Sequence, residues 1–408
     1  MDQNLDIINE NEKNVLKYHK INNIYKQINE LRKDNEKFNF MDGPPFVSSD
    51  NLHYGHLLVA SIKSSMQNYK RMQGFSVQNK IGYDCHGLPI EMVVNKILGL
   101  ESKEDVEKYG IANYNKKCKE VINQYSNSWE PIYDKLGRWV DYSNQYKTMD
   151  TNFMESVWNV TKRLWDKNYI TKGYKVMTVS TKCGTPLSNF EASSNYKEVI
   201  DPAVYVKFKI KAEDKYLLVW TTTPWTLPSN LCVCINADSL YVEIQDKNNE
   251  IYILAKDGLD NLYGKKDKTY KIIKEFLGKE LLGIKYVPLF SYFENTDAFR
   301  VLSDNYVEGT KKIDRETNKE KNIAGTGIVH LAPAFGEDDM RVCTENNIVN
   351  INNISDFCPI NDNGIFTNKT TDLENIYFLD ANNIIIKKLK EQQVLIKREN
   401  HKHSYPFC

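Results

Sequence analysis

Hydrophobic residues in the first part of the chain recur mainly at helical spacing. Residues 5–34 carry apolar positions among lysine, glutamate and asparagine, which predicts a solvated N-terminal helix. Alternating apolar residues over 38–46 end in two prolines and predict a strand followed by a rigid turn. A helix over about 53–72 and a second strand over 77–83 come next, so this part has the strand–turn–helix order of a nucleotide-binding unit.

Two longer helical patterns follow, over 113–136 and 152–168. In the second, Trp158, Leu164 and Trp165 recur at a spacing that predicts a buried inner face.

Beyond Gly173 the pattern changes to short alternating stretches, which predict a mostly antiparallel β domain. A final helix is predicted over 382–393. The predicted strands cover 203–210, 216–220, 231–235, 241–244 and 251–255.

Length and composition set limits on the kind of protein. At 408 residues, two or three domains are expected. The 54 basic and 54 acidic residues cancel, so no overall positive field favours nucleic acid, although local patches still can. Eight scattered cysteines fit a reducing compartment, the polar N-terminus is no signal or transit peptide, and no apolar run could span a membrane. These features predict a soluble cytoplasmic protein.

The first candidate chemistry is the tetrad His53-Tyr54-Gly55-His56. It places two imidazoles three residues apart on one face of a helix start, with a glycine that leaves room for a flat ligand. The helix N-terminus itself favours phosphate, through its free amide groups and its dipole. On its own such a short motif more often marks ordinary, satisfied histidines.

A second string, Gly-Tyr-Asp-Cys-His-Gly-Leu-Pro-Ile-Glu over 82–91, follows at a suitable distance. With both strings the chain resembles the class I aminoacyl-tRNA synthetases, and within them the isoleucyl enzymes of the eukaryotic cytosolic type. The resemblance implies an α/β fold: the first half of a Rossmann-type catalytic domain with an inserted, mostly-β editing domain (CP1). It also implies sites for ATP, with Mg²⁺, and for isoleucine. The implied residues are His53 and His56 for catalysis, His53, Gly55 and His56 for ATP, and Gly43, Pro44 and Asp84 for the amino acid.

Two further strings, over 218–230 and 325–339, match the editing domain of the isoleucyl, valyl and leucyl enzymes. The resemblance implies that threonine hydroxyls hold a terminal ribose and orient a water. It implies that Asp339 anchors the α-ammonium of a misacylated residue and that His330 hydrogen-bonds the adenosine end or the water. The expected editing residues are Thr221, Thr222, Thr223, Asn230, His330 and Asp339.

The resemblance also implies a domain division and a set of partners. The expected parts are an N-terminal helical extension, half of the catalytic domain with connecting helices, the editing domain, and a truncated return segment: 1–36, 37–185, 186–385 and 386–408. The second half of the catalytic site is expected beyond the chain, so synthetic activity of these residues alone is doubtful. Expected partners are tRNA(Ile), isoleucine and a C-terminal half of the same enzyme. A free-standing aminoacyl-tRNA deacylase and a non-catalytic tRNA-binding fragment remain as alternatives.

Cysteine spacing gives no complete zinc site. Some relatives carry Cys-x-x-Cys pairs at both ends of the insertion, but here the first reads Ser180-Thr181-Lys182-Cys183 and the second would begin at Cys408. Cys232 and Cys234 are expected to face opposite sides of a strand. We therefore predict no bound zinc.

Overall fold

The computed structural model describes residues 2–41, 43–264, 269–293, 297–313, 320–350 and 352–407. The chain divides into two compact units, Met1–Thr171 (unit 1) and Lys172–Cys408 (unit 2).

Unit 1 is mainly helical, with two parallel strands at its centre. Its elements in chain order are α1 (Asp2–Ile21), α2 (Ile24–Leu31), α3 (Tyr54–Met72), β1 (Lys80–Tyr83), α4 (Leu88–Leu98), α5 (Lys103–Tyr109), α6 (Ile111–Lys135), β2 (Asp141–Lys147) and α7 (Thr151–Asp166).

The predicted N-terminal helix is divided into two. Asn23 adopts a left-handed conformation with φ 48°, and the side-chain amide of Asn22 donates to the carbonyl of Tyr18 at 2.9 Å. Asparagine tolerates this backbone region and satisfies local carbonyls, which explains why α1 ends here.

The sequence predicts a strand from residue 38 to about residue 42, followed by a turn at Pro44 and Pro45. Among the described residues of this segment no continuous strand forms, and its two bridges, Lys37 with Ser76 and Phe46 with Asp84, are both parallel. Proline cannot donate to a ladder, so Pro44 and Pro45 do not extend the pairing. The segment therefore runs parallel to the stretch that contains β1, and β1 also pairs in parallel with β2.

The core of unit 1 forms where α4 and α6 pack against β1. Trp129, Tyr133 and Tyr83 are its largest fully buried side chains. Gly82 has no room for a side chain, because a Cβ there would lie 2.0 Å from the Cζ atom of Tyr146. This contact lets β2 lie close against β1.

The prediction that α7 buries an inner face is wrong for unit 1 as described. Trp158 is 64% exposed, Trp165 51% and Leu164 38%, and none of them belongs to the buried cluster of this unit. An apolar stripe predicts burial only where another element packs against it.

Unit 2 is built around a six-stranded sheet, with smaller sheets beside it. The strands of the whole unit are β3 (Val179–Ser180), β4 (Thr185–Pro186), β5 (Tyr196–Lys209), β6 (Lys215–Thr221), β7 (Cys232–Ile235), β8 (Leu240–Gln245), β9 (Ile251–Ala255), β10 (Lys271–Leu277), β11 (Val301–Ser303), β12 (Lys312–Ile313), β13 (Glu320–Lys321), β14 (Val329–Leu331) and β15 (Leu395–Pro406). The α-helices of the unit are α8 (Asn189–Ala192), α9 (Leu259–Tyr263), α10 (Glu337–Glu345) and α11 (Phe378–Glu391).

The strand order of the large sheet is β10-β8-β9-β6-β5-β15, antiparallel except for the β6–β9 pair. A three-stranded sheet, β11-β7-β14, packs its Val233 and Ile235 side chains into the same core as β5 and β6. Strand β15 pairs with β5 from Leu395 to Pro406. The end of the segment that the sequence analysis placed in a return to the catalytic domain is thus the edge strand of this sheet.

Candidate functional sites

The two histidines of the tetrad meet at the start of α3. His53 is the N-cap residue, and the backbone N–H of His56 donates to its Nδ1 at 3.3 Å. The two imidazole rings stack with centroids 3.6 Å apart. A Cβ on Gly55 would lie 2.9 Å from Cε1 of His53, so a side chain at this position would displace the His53 ring.

His56 packs against the core of unit 1. Its ring lies 5.0 Å from that of Trp129, whose indole N–H donates to the carbonyl of Ser49 at 3.0 Å. Burial, followed by the neighbouring His53, lowers the pKa of His56. Its Nδ1 is buried and has no partner in the part of the chain that the structure describes. A neutral imidazole with a free nitrogen and a helix N-terminus are thus combined in one place.

Asp84 follows β1 directly and is fixed by backbone pairing. Its N–H donates to the carbonyl of Pro45 at 2.9 Å, and its carbonyl accepts from the N–H of Val47 at 3.2 Å. The hydroxyl of Thr148 lies 3.3 Å from its Oδ1. The carboxylate is half-buried rather than fully buried, which leaves it accessible to a ligand.

The remaining predicted residues of unit 1 lie next to this region. Gly43 is exposed, and its carbonyl accepts from Nζ of Lys63 on α3 at 3.2 Å; Pro44 is half-buried. Trp129 lies 6.2 Å from Tyr83, the residue before Asp84, and thereby connects the histidine pair to the end of β1. Sequence reasoning missed Trp129, because only the fold brings it to the histidines.

Unit 2 contains a cavity of about 330 Å³ at the end of β6. Both editing-like strings contribute to its walls. The lining residues are Trp220, Thr221, Thr222, Thr223, Trp225, Thr226, Ala324, Thr326, Ile328, Val329, His330, Ala332, Phe335, Gly336 and Asp339.

Threonine hydroxyls form a connected row along one wall. The Oγ1 atoms of Thr221 and Thr223 are 3.2 Å apart, and those of Thr223 and Thr226 are also 3.2 Å apart. Thr221 additionally accepts from the backbone N–H of Thr223 at 3.1 Å, which fixes the turn after β6. Such a row can hold sugar hydroxyls or a water. Thr226 lies within the first string but was not singled out from the sequence.

His330 continues the row on β14. Its Nε2 lies 3.0 Å from Oγ1 of Thr226, and its buried Nδ1 has no partner among the described residues. Burial lowers the pKa of His330 to about 4, so the ring is neutral near pH 7.

Asp339 lies on the first turn of α10. Its Oδ2 accepts from the backbone N–H of Ala332 at 2.8 Å. Burial raises its pKa to about 6 despite that hydrogen bond. Gly336 packs against the carboxylate, since a Cβ there would lie 2.6 Å from Cγ of Asp339. A desolvated carboxylate on a cavity wall has the chemistry to bind an ammonium group.

Asn230 lies outside this cavity. Its Nδ2 donates to the carbonyl of Cys232 at 2.7 Å, and its Oδ1 accepts from the hydroxyl of Tyr286 at 2.7 Å. Its amide is therefore committed to buried partners, unlike the other predicted editing residues, which the structure brings together.

The expectation that Cys232 and Cys234 face opposite sides is wrong. Residues two apart on a strand share a face, and both side chains lie in one buried cluster with Cys343. No group of three or more histidine, cysteine, aspartate or glutamate side chains in the described ranges is arranged to hold a metal ion. Cys408, where the second zinc pair would begin, lies outside those ranges, and the absence of zinc stays a prediction.

Comparisons with known proteins define the class. The family model for class I tRNA synthetases (I, L, M and V) matches residues 14–398. The chain therefore belongs to the class I tRNA synthetases.

Within that family the chain is similar to isoleucine–tRNA ligases. It is 44% identical to the cytoplasmic enzyme of Mus musculus, over 97% of this chain and 31% of that protein. It is 45% identical to the cytoplasmic enzyme of Saccharomyces cerevisiae, over 93% of this chain and 34% of that protein. The chain thus spans about a third of the length of these curated relatives.

Similarity to solved structures is weaker. The crystal structure of GlLeuRS-CP1 has a TM-score of 0.35 and 13% identity, covering 48% of this chain and 98% of that chain. The editing domain of the P. falciparum cytosolic leucyl-tRNA synthetase has a TM-score of 0.33 and 10% identity, covering 50% of this chain and 99% of that chain. Separately, within the described ranges no helix has both the length and the apolar character that crossing a membrane requires.

Proposed function

We propose that this chain forms part of a cytoplasmic isoleucine–tRNA ligase, in which unit 1 carries half of an adenylation site and unit 2 an editing site. The complete enzyme would activate isoleucine with ATP, transfer it to tRNA(Ile) and hydrolyse misacylated Val-tRNA(Ile). The observation that carries the proposal is the unit 2 cavity, where a threonine row, a neutral His330 and a desolvated Asp339 line one space.

In the adenylation half, the substrate carboxylate attacks the α-phosphorus of ATP, and pyrophosphate leaves. Catalysis of this step relies on positioning and on stabilising negative charge. His53, His56 and the first amides of α3 supply donors for the phosphate oxygens. Asp84 pairs with the substrate ammonium, and Gly43 and Pro44 form a wall of the side-chain slot. Mg²⁺ enters with ATP and neutralises phosphate charge.

This half-site needs a second half from elsewhere. A C-terminal half of the enzyme would complete the parallel sheet and supply cations for the triphosphate. The proposed arrangement is a Rossmann-type domain split by the inserted, mostly-β unit 2. Activation by the 408 residues alone is therefore expected to be weak.

In the editing site, water attacks the ester carbonyl carbon, the bond to the ribose oxygen breaks, and that oxygen takes up a proton. Asp339 anchors the α-ammonium of the aminoacyl group, and the threonine hydroxyls hold the ribose and the water. His330 accepts or donates one further hydrogen bond as a neutral ring. A pocket that admits valine and excludes isoleucine is needed, because one methylene gives only ~1–3 kcal/mol of discrimination. Isoleucine against valine in this family is the standard illustration of that limit.

A free-standing deacylase is the second candidate. It is favoured by the fact that every residue lining the cavity comes from unit 2. A non-catalytic tRNA-binding fragment is the third. ATP–pyrophosphate exchange with isoleucine separates the first from the second.

The direct test is deacylation of Val-tRNA(Ile) by the purified chain, with Ile-tRNA(Ile) as the control substrate. Selective loss of valine is expected, and Asp339→Ala should reduce the rate by about tenfold or more, since it removes the ammonium anchor. Asp362→Ala, at an exposed aspartate of the same unit, is the matched control and should leave the rate unchanged. Hydrolysis at the parent rate by Asp339→Ala would refute the anchoring role. A folded chain that spares both substrates would favour the non-catalytic alternative.

A further inference from the structure

One side-chain hydroxyl joins the ends of the two parallel strands of unit 1. Thr148 directly follows β2, and Asp84 directly follows β1. The register pairs the residues just before them, Tyr83 and Lys147, and the backbone N–H of Thr148 donates to the carbonyl of Tyr83 at 3.0 Å. Because both strands run in the same direction, the residues that follow them meet at one edge, the edge at which parallel sheets bind ligands.

Three groups surround the hydroxyl of Thr148. The backbone N–H of Cys85 lies 2.9 Å from its Oγ1, the Oδ1 atom of Asp84 lies 3.3 Å away, and Nδ1 of His86 lies 3.4 Å away. Three consecutive residues thus share one hydroxyl that stands 62–64 residues further along the chain. Neither Thr148 nor His86 was singled out from the sequence, because only the pairing of the two strands brings them together.

The donor and acceptor capacity of the hydroxyl fixes the direction of each hydrogen bond. A hydroxyl has one proton to donate and two lone pairs that accept, whereas a backbone N–H only donates and an ionised carboxylate only accepts. The Cys85 N–H therefore takes one lone pair, and the hydroxyl proton goes to Asp84. One lone pair remains for His86, so its Nδ1 carries a hydrogen and donates. The reverse arrangement would leave the carboxylate and the hydroxyl oxygen 3.3 Å apart with no proton between them.

We propose that Thr148 is a positioning residue of the amino-acid site: its hydroxyl orients the carboxylate of Asp84 and holds His86 as the Nδ1–H tautomer. The inference rests on the proposed function, in which Asp84 pairs with the ammonium group of isoleucine. Donation to Oδ1 fixes the plane of the carboxylate and leaves Oδ2 for the ammonium group. The ring of His86 is exposed, and its Nε2 is left as an acceptor.

The first measurement is the tautomer of His86, by long-range ¹H–¹⁵N NMR of the full chain with labelled histidine at pH 8. The chain has seven histidines, and His86→Gln identifies the signals of this ring by removing them. The parent should show the Nδ1–H form. Thr148→Ser, which keeps the hydroxyl, should retain that form, whereas Thr148→Val should lose it. Thr151→Val, at an exposed threonine of the same unit, is the matched control and should change nothing.

The second measurement is binding of L-isoleucine to the same proteins, followed by NMR titration. Thr148→Val should weaken binding by about two- to tenfold, the value of one hydrogen bond, and Thr148→Ser should stay within about twofold of the parent. The comparison ligand is 3-methylpentanoate, which keeps the side chain and carboxylate of isoleucine but lacks the ammonium group. Because Thr148 acts through Asp84 on that ammonium group, Thr148→Val should leave binding of 3-methylpentanoate within about twofold of the parent.

An Nδ1–H signal that persists in Thr148→Val would overturn the proposal, as would an equal loss of binding for the two ligands; the threonine would then only pack between the strands. Failure of the proposed function gives a different result. A parent chain with the Nδ1–H form but no isoleucine-dependent shifts would refute the amino-acid site, and the positioning role with it, while confirming the hydrogen-bond directions. Isoleucine binding that Thr148→Val leaves unchanged would refute this inference alone.

Discussion

Replacing Asp339 by asparagine should stabilise unit 2 at neutral pH. The carboxylate is held in the cavity wall with one backbone N–H as its partner, and burial raises its pKa from 3.8 to about 6. Asparagine keeps an oxygen that can accept from the Ala332 N–H but carries no charge to desolvate. The substitution therefore removes an ionisation cost while retaining the hydrogen bond.

The size of the effect follows from proton linkage. A shift of roughly two pKa units at 1.36 kcal/mol per unit corresponds to about 2–3 kcal/mol, with residual solvent exposure reducing the full value. Below pH 3.8 both folded and unfolded states are protonated, and the carboxylate has no effect. Between pH 3.8 and 6 the folded state binds more protons, so this group's contribution to stability falls as pH rises, and above pH 6 the loss is complete.

The assay is urea unfolding at pH 4, 5, 6 and 8, monitored by pulsed hydrogen exchange. Only peptides from Lys172–Cys408 are analysed, so the measurement reports on the unit that contains Asp339. The free energies of unfolding of the parent and of Asp339→Asn should be similar at pH 4. At pH 8 that of Asp339→Asn should be higher by about 2–3 kcal/mol. His330, whose pKa is lowered to about 4, contributes the opposite slope, but it is present in both proteins and cancels in the difference.

Asp362→Asn is the matched control, because Asp362 is exposed in the same unit. The free energy of unfolding of Asp362→Asn should stay within about 0.5 kcal/mol of that of the parent at every pH. A difference for Asp339→Asn that does not vary with pH, or one that favours the parent at pH 8, would refute the reasoning that the cavity desolvates this carboxylate.

Two further substitutions test other contacts. Gly55→Ala should displace the stacked imidazoles, because the new Cβ would lie 2.9 Å from Cε1 of His53. The displacement should cost ~1 kcal/mol in rotamer strain. The NMR chemical shifts of the two imidazoles would report the displacement. Gly173→Ala, with nothing within 4 Å of its Cβ, is the silent control, and unchanged imidazole shifts in Gly55→Ala would contradict the packing. Asn230→Ala should lower the free energy of unfolding by ~2–4 kcal/mol, since it leaves the Tyr286 hydroxyl and a backbone carbonyl unpaired. Deacylation per folded molecule should be unchanged, and a selective loss of activity would place Asn230 in the cavity after all.

The sequence predicted the residues whose positions follow from local chain order. The histidine tetrad is such a case, since a helix start and a glycine are both read directly from neighbouring residues. The threonine run at the end of β6 is another, because it follows a strand that its own alternation predicts. In both cases the local pattern determines which way the side chains project.

The residues that sequence reasoning misplaced depend on distant partners. Asn230 sits beside the threonine run, yet Tyr286, 56 residues further on, holds its side-chain oxygen. Trp129, 73 residues further along the chain, packs against the ring of His56. The face of α7 depends on what packs against it, which its own periodicity cannot specify. Cys232 and Cys234 are different, because the strand period alone was enough to place them on one face.

The cavity of unit 2 keeps one charge at neutral pH, although burial opposes ionisation of both its titratable groups. The same desolvation acts in opposite directions on its two ionisable groups: it raises the pKa of Asp339 to about 6 and lowers that of His330 to about 4. At pH 7 the carboxylate is therefore still ionised, while the imidazole is neutral and cannot compensate it. Among the described residues that line the cavity, Asp339 then carries the only charge. A ligand with an ammonium group relieves the desolvation of this carboxylate on binding, whereas an uncharged or anionic ligand does not. Under the proposed function the cavity would therefore favour a cation next to the hydroxyl row, which is the pairing of groups that an aminoacyl ester of a ribose presents.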